Sequence, residues 1–236
     1  MEASITPKTK AVMLCNPHNP GGRVWTEEEL KSLADICLKH KLYIISDDIH
    51  ADLTYGGHKH TFIAGLSKEI EQRCITCTSP SKAFNLAGMQ AAHIIIANEA
   101  LREKFISPLK AIHMTGGNSF EEALVGAYRD SEEWLKEAVA YIEDNIDFFV
   151  DGIHKNIPQL KTSKPDGTYL VWIDCRALGL SQEALMDFFL NTCGLFLNSG
   201  LDYGERGRGF VRINMACPRK YVEEALKRMM DGIKRL

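Results

Sequence analysis

The apolar run Ala11-Val12-Met13-Leu14-Cys15 stops at Asn16-Pro17-His18-Asn19-Pro20-Gly21-Gly22, and a second run, Leu42-Tyr43-Ile44-Ile45-Ser46, ends in Asp47 and Asp48. Short continuous apolar runs bounded by turn residues mark buried strands. Between them Thr26 stands three residues before Glu29, the spacing of a capping box. Leu30, Leu33, Ala34, Ile36, Cys37 and Leu38 then form a helical stripe ending near His40. A strand, a helix and a strand so spaced require a crossover, so the two strands should pair in parallel through a right-handed connection.

Two more β-like runs follow. Arg73 to Thr78 ends at Ser79-Pro80-Ser81-Lys82, and Ala92 to Ala97 ends at Asn98. Ligands of open α/β sheets gather beyond the carboxyl ends of the strands, so Asn16 to Gly22, Asp47 to His50 and Ser79 to Lys82 should converge on one crevice. From Asn98 to Asn156 the pattern is almost wholly helical. Its last part, 131–156, carries Trp134, Leu135, Val139, Ile142, Ile146, Phe149 and Ile153 on one face and reads as a helix between domains. Beyond it, 157–236 alternates strand-like and helical stretches: Gly167 to Ile173, a helix near Ser181 to Thr192, a short run Leu195 to Asn198, Phe210 to Asn214, and a closing helix from Pro218 to Arg235. This is the texture of a small α+β domain.

A net charge of -3, with both signs interspersed, gives no basic patch interleaved with aromatics, which argues against a nucleic-acid partner. The apolar runs are too short to span a bilayer, and the start at Met1-Glu2-Ala3 lacks a signal-peptide pattern, so no membrane partner and a cytoplasmic location are expected. Seven cysteines, an odd number scattered through apolar segments, fit reduced core thiols better than a disulfide framework.

Several side chains could carry chemistry. Lys82 follows a turn bearing two hydroxyls, Ser79 and Ser81. A loop lysine is usually a solvated charge, but one held in a partly apolar crevice can serve as a Schiff-base nucleophile. Asp47 closes a very apolar strand and needs a partner there; it reads equally well as an N-cap or loop aspartate. Asp48 should point to the opposite face and be structural. Asp47, Asp48, His50 and Asp52 invite a metal reading, but alternation splits them across two faces, so no metal is expected. His58-Lys59-His60 reads as surface. Cys74 and Cys77 have half a zinc spacing but face opposite sides of a strand. Gly204 to Gly209 reads as a mobile hairpin loop. Arg212, within Phe210-Val211-Arg212-Ile213-Asn214, is either paired internally or aimed into a cleft, where its planar fork suits a carboxylate.

Taken in order, Asn16-Pro-His-Asn-Pro-Gly-Gly-Arg-Val-Trp25, Ser46-Asp-Asp-Ile-His50, Ser79-Pro-Ser-Lys-Ala-Phe-Asn-Leu-Ala-Gly-Met89 and Phe210-Val-Arg-Ile-Asn-Met-Ala-Cys-Pro218 resemble the fold-type I pyridoxal-phosphate enzymes of aminotransferase class I and II. Within them the match is nearest to the carbon–sulfur β-lyase branch, which includes cystathionine β-lyases of the MalY/PatB kind and cystalysin. The resemblance covers essentially the whole chain. It implies an α/β fold with a mainly parallel sheet: 1–130 as the C-terminal part of the large cofactor-binding domain, 131–156 as the interdomain helix, and 157–236 as the small domain. It implies pyridoxal 5'-phosphate as cofactor, with Lys82 as the Schiff-base and proton-shuttling lysine, Asp47 on the pyridine nitrogen and Asn19 on the ring 3-hydroxyl. Ser79 and Ser81 fall to the phosphate, and Arg212 to the substrate carboxylate. His50 stands in the cofactor-binding set where many aminotransferases have tyrosine. That residue and the Gly167 to Asp174 stretch favour a lyase.

The sequence departs from the family at Asp48, where glutamate is usual, and at Gln90, where many aminotransferases place a phosphate-binding arginine. Relatives also have a further N-terminal portion. A homodimer, or association with another chain supplying that portion, is therefore expected. The reading that follows is a C–S β-lyase acting on a cysteine S-conjugate. A class I/II aminotransferase and a non-catalytic or regulatory remnant of the fold stand as alternatives.

Overall fold

A computed structural model describes residues 1–114 and 121–236, so 115–120 of the expected helical stretch lie outside the described residues. The chain forms two compact units, one of residues 1–17 with 24–135 and one of 18–23 with 136–236.

The first unit is built on a four-stranded sheet in the order β1 (Ala11–Cys15), β2 (Tyr43–Asp47), β3 (Cys74–Thr78) and β4 (His93–Ile95). The first three strands are parallel, as the crossover pattern requires, and β4 runs antiparallel to β3. Helix α1 (Glu27–Lys39) makes the crossover from β1 to β2 and begins on the expected capping box. The Glu29 amide donates to Thr26 Oγ1 at 3.3 Å, and the Thr26 amide donates to Glu29 Oε2 at 3.0 Å. Its stripe of Leu30, Leu33, Ala34 and Cys37 packs on Leu14, Ile44 and Cys74 of the sheet, together with Ile70 of the one-turn helix α2 (Lys68–Glu71).

The strands are not buried on both sides. Leu14, Ser46 and Thr76 are neighbours in register on the covered face. On the other face the rows Met13–Ile45–Ile75 and Cys15–Asp47–Cys77–Ile94 are half-buried or open, with Met13 82% exposed. The apolar runs record two-sided hydrophobicity, but among the described residues α1 and its neighbours cover only one side. The unit is completed by α3 (Pro80–Ala83), α4 (Glu99–Ala111), α5 (Glu121–Asp130) and the start of α6 (Glu132–Asn156).

The second unit has a four-stranded antiparallel sheet in the order β5 (Lys161–Thr162), β6 (Leu170–Asp174), β8 (Phe210–Asn214) and β7 (Asn198–Ser199). From Lys136 onward α6 belongs to this unit, so the unit boundary falls inside the helix expected to lie between domains. Ile146, Phe149, Val150 and Ile153 form its buried face. Helix α8 (Arg219–Ile233) approaches α6 so closely that a Cβ on Gly152 would lie 2.2 Å from Leu226 Cδ2. The expected helix near Ser181 to Thr192 is divided: α7 (Gln182–Asp187) is regular, and Phe188–Thr192 widens to a π-turn.

Gly204 to Gly209 is not an open hairpin loop. Tight 3₁₀ turns over Gly200–Tyr203 and Glu205–Gly207 press Gly200 against Gly207, and a Cβ on either would sit 1.9 Å from the other's carbonyl oxygen. Residues 18–23 join this unit through Gly22, whose carbonyl accepts from the Gly167 amide at 2.9 Å.

Candidate active site

In the first unit the parallel register carries the strand ends to one edge. Cys15, Asp47 and Cys77 are neighbours, the Asn16 amide donates to the Asp47 carbonyl at 3.0 Å, and the Asp48 amide donates to the Cys77 carbonyl at 2.8 Å. Asp47 lies half-buried on the open face, and its Oδ1 accepts from the Ile49 amide at 3.3 Å. Burial pushes its carboxyl above the ordinary aspartate value, and the neighbouring Asp48 adds to the rise. The Ile49 amide and the Lys82 ammonium offset part of it. Asp47 and Lys82, separated by 35 positions in sequence, thus come within electrostatic reach at the same sheet edge.

Lys82 is half-buried in α3, which Ser79 caps. Ser79 is bonded within the chain: its hydroxyl donates to the Ala91 carbonyl at 2.6 Å and accepts from the Ser81 amide at 3.0 Å. Its place before the lysine reflects the cap geometry of the strand-to-helix turn. The half-buried Ser81 is the hydroxyl of the pair whose side chain has no hydrogen bond among the described residues.

Asp48 and His60 form a buried pair that the sequence did not announce. His60 Nε2 lies 3.1 Å from Asp48 Oδ1, with the side chains 5% and 1% exposed, and the His60 ring meets Phe62 edge-on at 4.5 Å. Asp48 is therefore structural, as alternation predicts, whereas His60 is not a surface residue. Glycines and charges around it signal a loop, and nothing local reveals that the loop folds back over the end of β2. His50 is also buried. No group of three or more His, Cys, Asp or Glu able to hold a metal occurs among the described residues. None of the seven cysteines is in a disulfide, and Cys37, Cys74, Cys175 and Cys193 are buried.

In the second unit Arg212 Nη1 donates to Asn19 Oδ1 at 2.7 Å and Nη2 donates to Asn198 Oδ1 at 2.9 Å. The guanidinium carbon lies 5.0 Å from the Tyr203 ring centre. Asn19, 193 positions away in sequence, reaches Arg212 because 18–23 belongs to this unit. Of the predicted site residues, the structure thus gathers Asp47, His50, Ser79, Ser81 and Lys82 in the first unit and joins Asn19 to Arg212 in the second. Asn198 and Tyr203 escaped the sequence reading: the run ending at Asn198 looks like any short edge strand.

The first-unit residues suit a cofactor with a cationic ring nitrogen and a carbonyl. A half-buried carboxylate lacks full compensation, and a primary amine lies within electrostatic reach of it.

Known proteins give independent comparisons. The profile of a family described as Aminotransferase class I and II matches residues 1–229. Cystathionine beta-lyase PatB of Bacillus subtilis (strain 168) is 40% identical over 228 residues, covering 96% of this chain and 59% of that protein. Protein MalY of Escherichia coli (strain K12) is 34% identical over 230 residues, covering 97% of this chain and 58% of that protein. The crystal structure of cystalysin from Treponema denticola, which contains pyridoxal 5'-phosphate, superposes with a TM-score of 0.93 at 36% identity, covering 96% of this chain and 58% of that one. The chain therefore spans somewhat under three-fifths of the length of these relatives.

Proposed function

Because the chain belongs to the aminotransferase class I and II family, we propose that it is the greater part of a pyridoxal-phosphate-dependent C–S β-lyase. Its substrate would be a cysteine S-conjugate of the cystathionine type, giving pyruvate, ammonia and a thiol. The observation that carries this reading is geometric: the parallel register sets Asp47 beside Cys77 at the carboxyl ends of β2 and β3, and Lys82 stands in α3, which follows β3 directly. The cofactor, when bound, supplies an electron sink for the carbanion that forms at the substrate α-carbon.

Each residue then has a definite task. Lys82 Nζ would hold the cofactor and would serve as the base that takes the substrate α-proton. Asp47, ionised, keeps the ring nitrogen protonated; burial strengthens this interaction by removing competing water. Ser81 donates to the phosphate. Asn19 would bond the ring 3-hydroxyl, and His50 would belong to the cofactor-binding set. Arg212 takes the substrate carboxylate through its fork.

Names of relatives support the lyase, and the family description leaves an aminotransferase as the second reading. The open face around Met13 supports association with further polypeptide, either a second copy or the portion by which relatives are longer. Seven cysteines outside any disulfide support a reducing, cytoplasmic setting. Among the described residues no helix is long and apolar enough to cross a membrane.

Borohydride reduction in the presence of pyridoxal phosphate should fix the cofactor on Lys82, as read by peptide mass. Label elsewhere, or none, overturns the assignment. Pyruvate released from cystathionine, measured against amino transfer to a 2-oxo acid, separates lyase from aminotransferase.

A further inference from the structure

Four arginines among the described residues share their forks with carboxylates, whereas Arg102 donates to the backbone carbonyls of Ile96 and Ala97. Arg129, Arg176, Arg208 and Arg228 each place a guanidinium nitrogen 2.6–2.8 Å from a carboxylate oxygen, of Asp130, Asp174, Glu205 and Glu224 respectively. Arg212 is held instead by two amide oxygens, those of Asn19 and Asn198, with the Tyr203 ring under its guanidinium. None of these partners bears a negative charge. The amides must present oxygen here, since a guanidinium has only donors to offer.

The backbone explains how Asn198 reaches its place. Trp172, Arg212 and Asn198 are direct cross-strand neighbours on β6, β8 and β7, so their side chains share one face of the antiparallel sheet. Trp172 also meets Tyr203 edge-on at 5.6 Å, which steadies the ring beneath the guanidinium. Each Nη thus has a separate anchor, and the fork is fixed in orientation. A carboxylate at 198 would fix it equally well, but it would satisfy the charge.

We propose that Asn198 is a positioning residue for Arg212: its neutral amide oxygen, opposite that of Asn19, orients the guanidinium while leaving its positive charge for the carboxylate of an amino-acid substrate. This inference rests on reading Arg212 as the carboxylate anchor. It adds a residue from β7 and a reason why that residue is an amide rather than an acid. A charged donor meeting a carboxylate gives a shorter and stronger bond than a neutral one, provided that charge is not already neutralised.

The test uses the full chain with isotope-labelled arginine, titrated with acetate against chloride at matched ionic strength. The Arg212 side-chain signal is identified by its loss in Arg212→Lys. In the unaltered chain, slow rotation of the guanidinium and a saturable acetate shift are expected. Asn198→Asp should keep the slow rotation but weaken acetate binding at least fivefold. Asn198→Ala should speed the rotation. If acetate produces no saturable shift in the unaltered chain, Arg212 is not a carboxylate anchor and the reading beneath the inference falls. If acetate binds through Arg212 but Asn198→Asp binds it as tightly as the unaltered chain, the anchor stands and the role of Asn198 is overturned. Fast guanidinium rotation in the unaltered chain overturns that role without need of any variant.

Discussion

At the level of single residues, the edge of the parallel sheet carries two neighbouring acids with opposite duties. Asp47 faces the open side with its carboxyl raised by burial, so the folded chain binds that proton more tightly than the unfolded chain does. The sign follows: its ionisation costs stability at neutral pH, and the cost vanishes below the ordinary aspartate value of 3.8. Asp47→Asn should therefore raise Tm of the cofactor-free chain at neutral pH, with the gain fading as pH falls from the raised folded value towards 3.8 and gone below it, while cofactor binding is lost. Thermal melts across pH check both. Asp48 is a packing group. It is nearly fully buried against His60, and removing one partner strands the other. His60→Ala should lower stability by about 1–3 kcal/mol in urea unfolding, and adding Asp48→Asn should restore part of it. Asp47 was legible because it closes an apolar run. His60 was not, because its partner lies 12 positions back across a loop without periodicity.

Among the elements, helix α1 was the most legible, since its cap and stripe are local properties of a continuous segment. Removing the cap by Thr26→Ala should cost about 1 kcal/mol. The turn pair around Gly200 and Gly207 lay beyond reach of the sequence. Glycine-rich stretches read as loose, yet here the missing side chains let two backbones touch. Gly207→Ala forces a Cβ against backbone rather than a movable side chain, and it should cost about 3 kcal/mol or more in equilibrium unfolding. Ser79 teaches a similar lesson: its hydroxyl was legible as a candidate ligand and its cap is local, while the acceptor of its proton, the Ala91 carbonyl, lies 12 positions later.

For the whole molecule, binding of a cofactor by the folded state alone must appear as stability. Pyridoxal phosphate at a hundred times its dissociation constant should stabilise the chain by about 2.7 kcal/mol, and Lys82→Ala should shrink the shift at the same concentration. Differential scanning calorimetry with and without the cofactor measures it. The sequence by itself determined the parallel strands, the capped crossover helix, the lysine and aspartate at strand ends, and the family. All of these are written in short-range periodicity, turn residues and ordered motifs. Tertiary structure alone decided that 18–23 belongs with the second unit, that Asn19 and Asn198 hold Arg212, that His60 is buried on Asp48, and that one sheet face stays open. Those outcomes depend on contacts between segments distant in the chain, where the partner of a polar group is fixed by packing and not by its sequence neighbours.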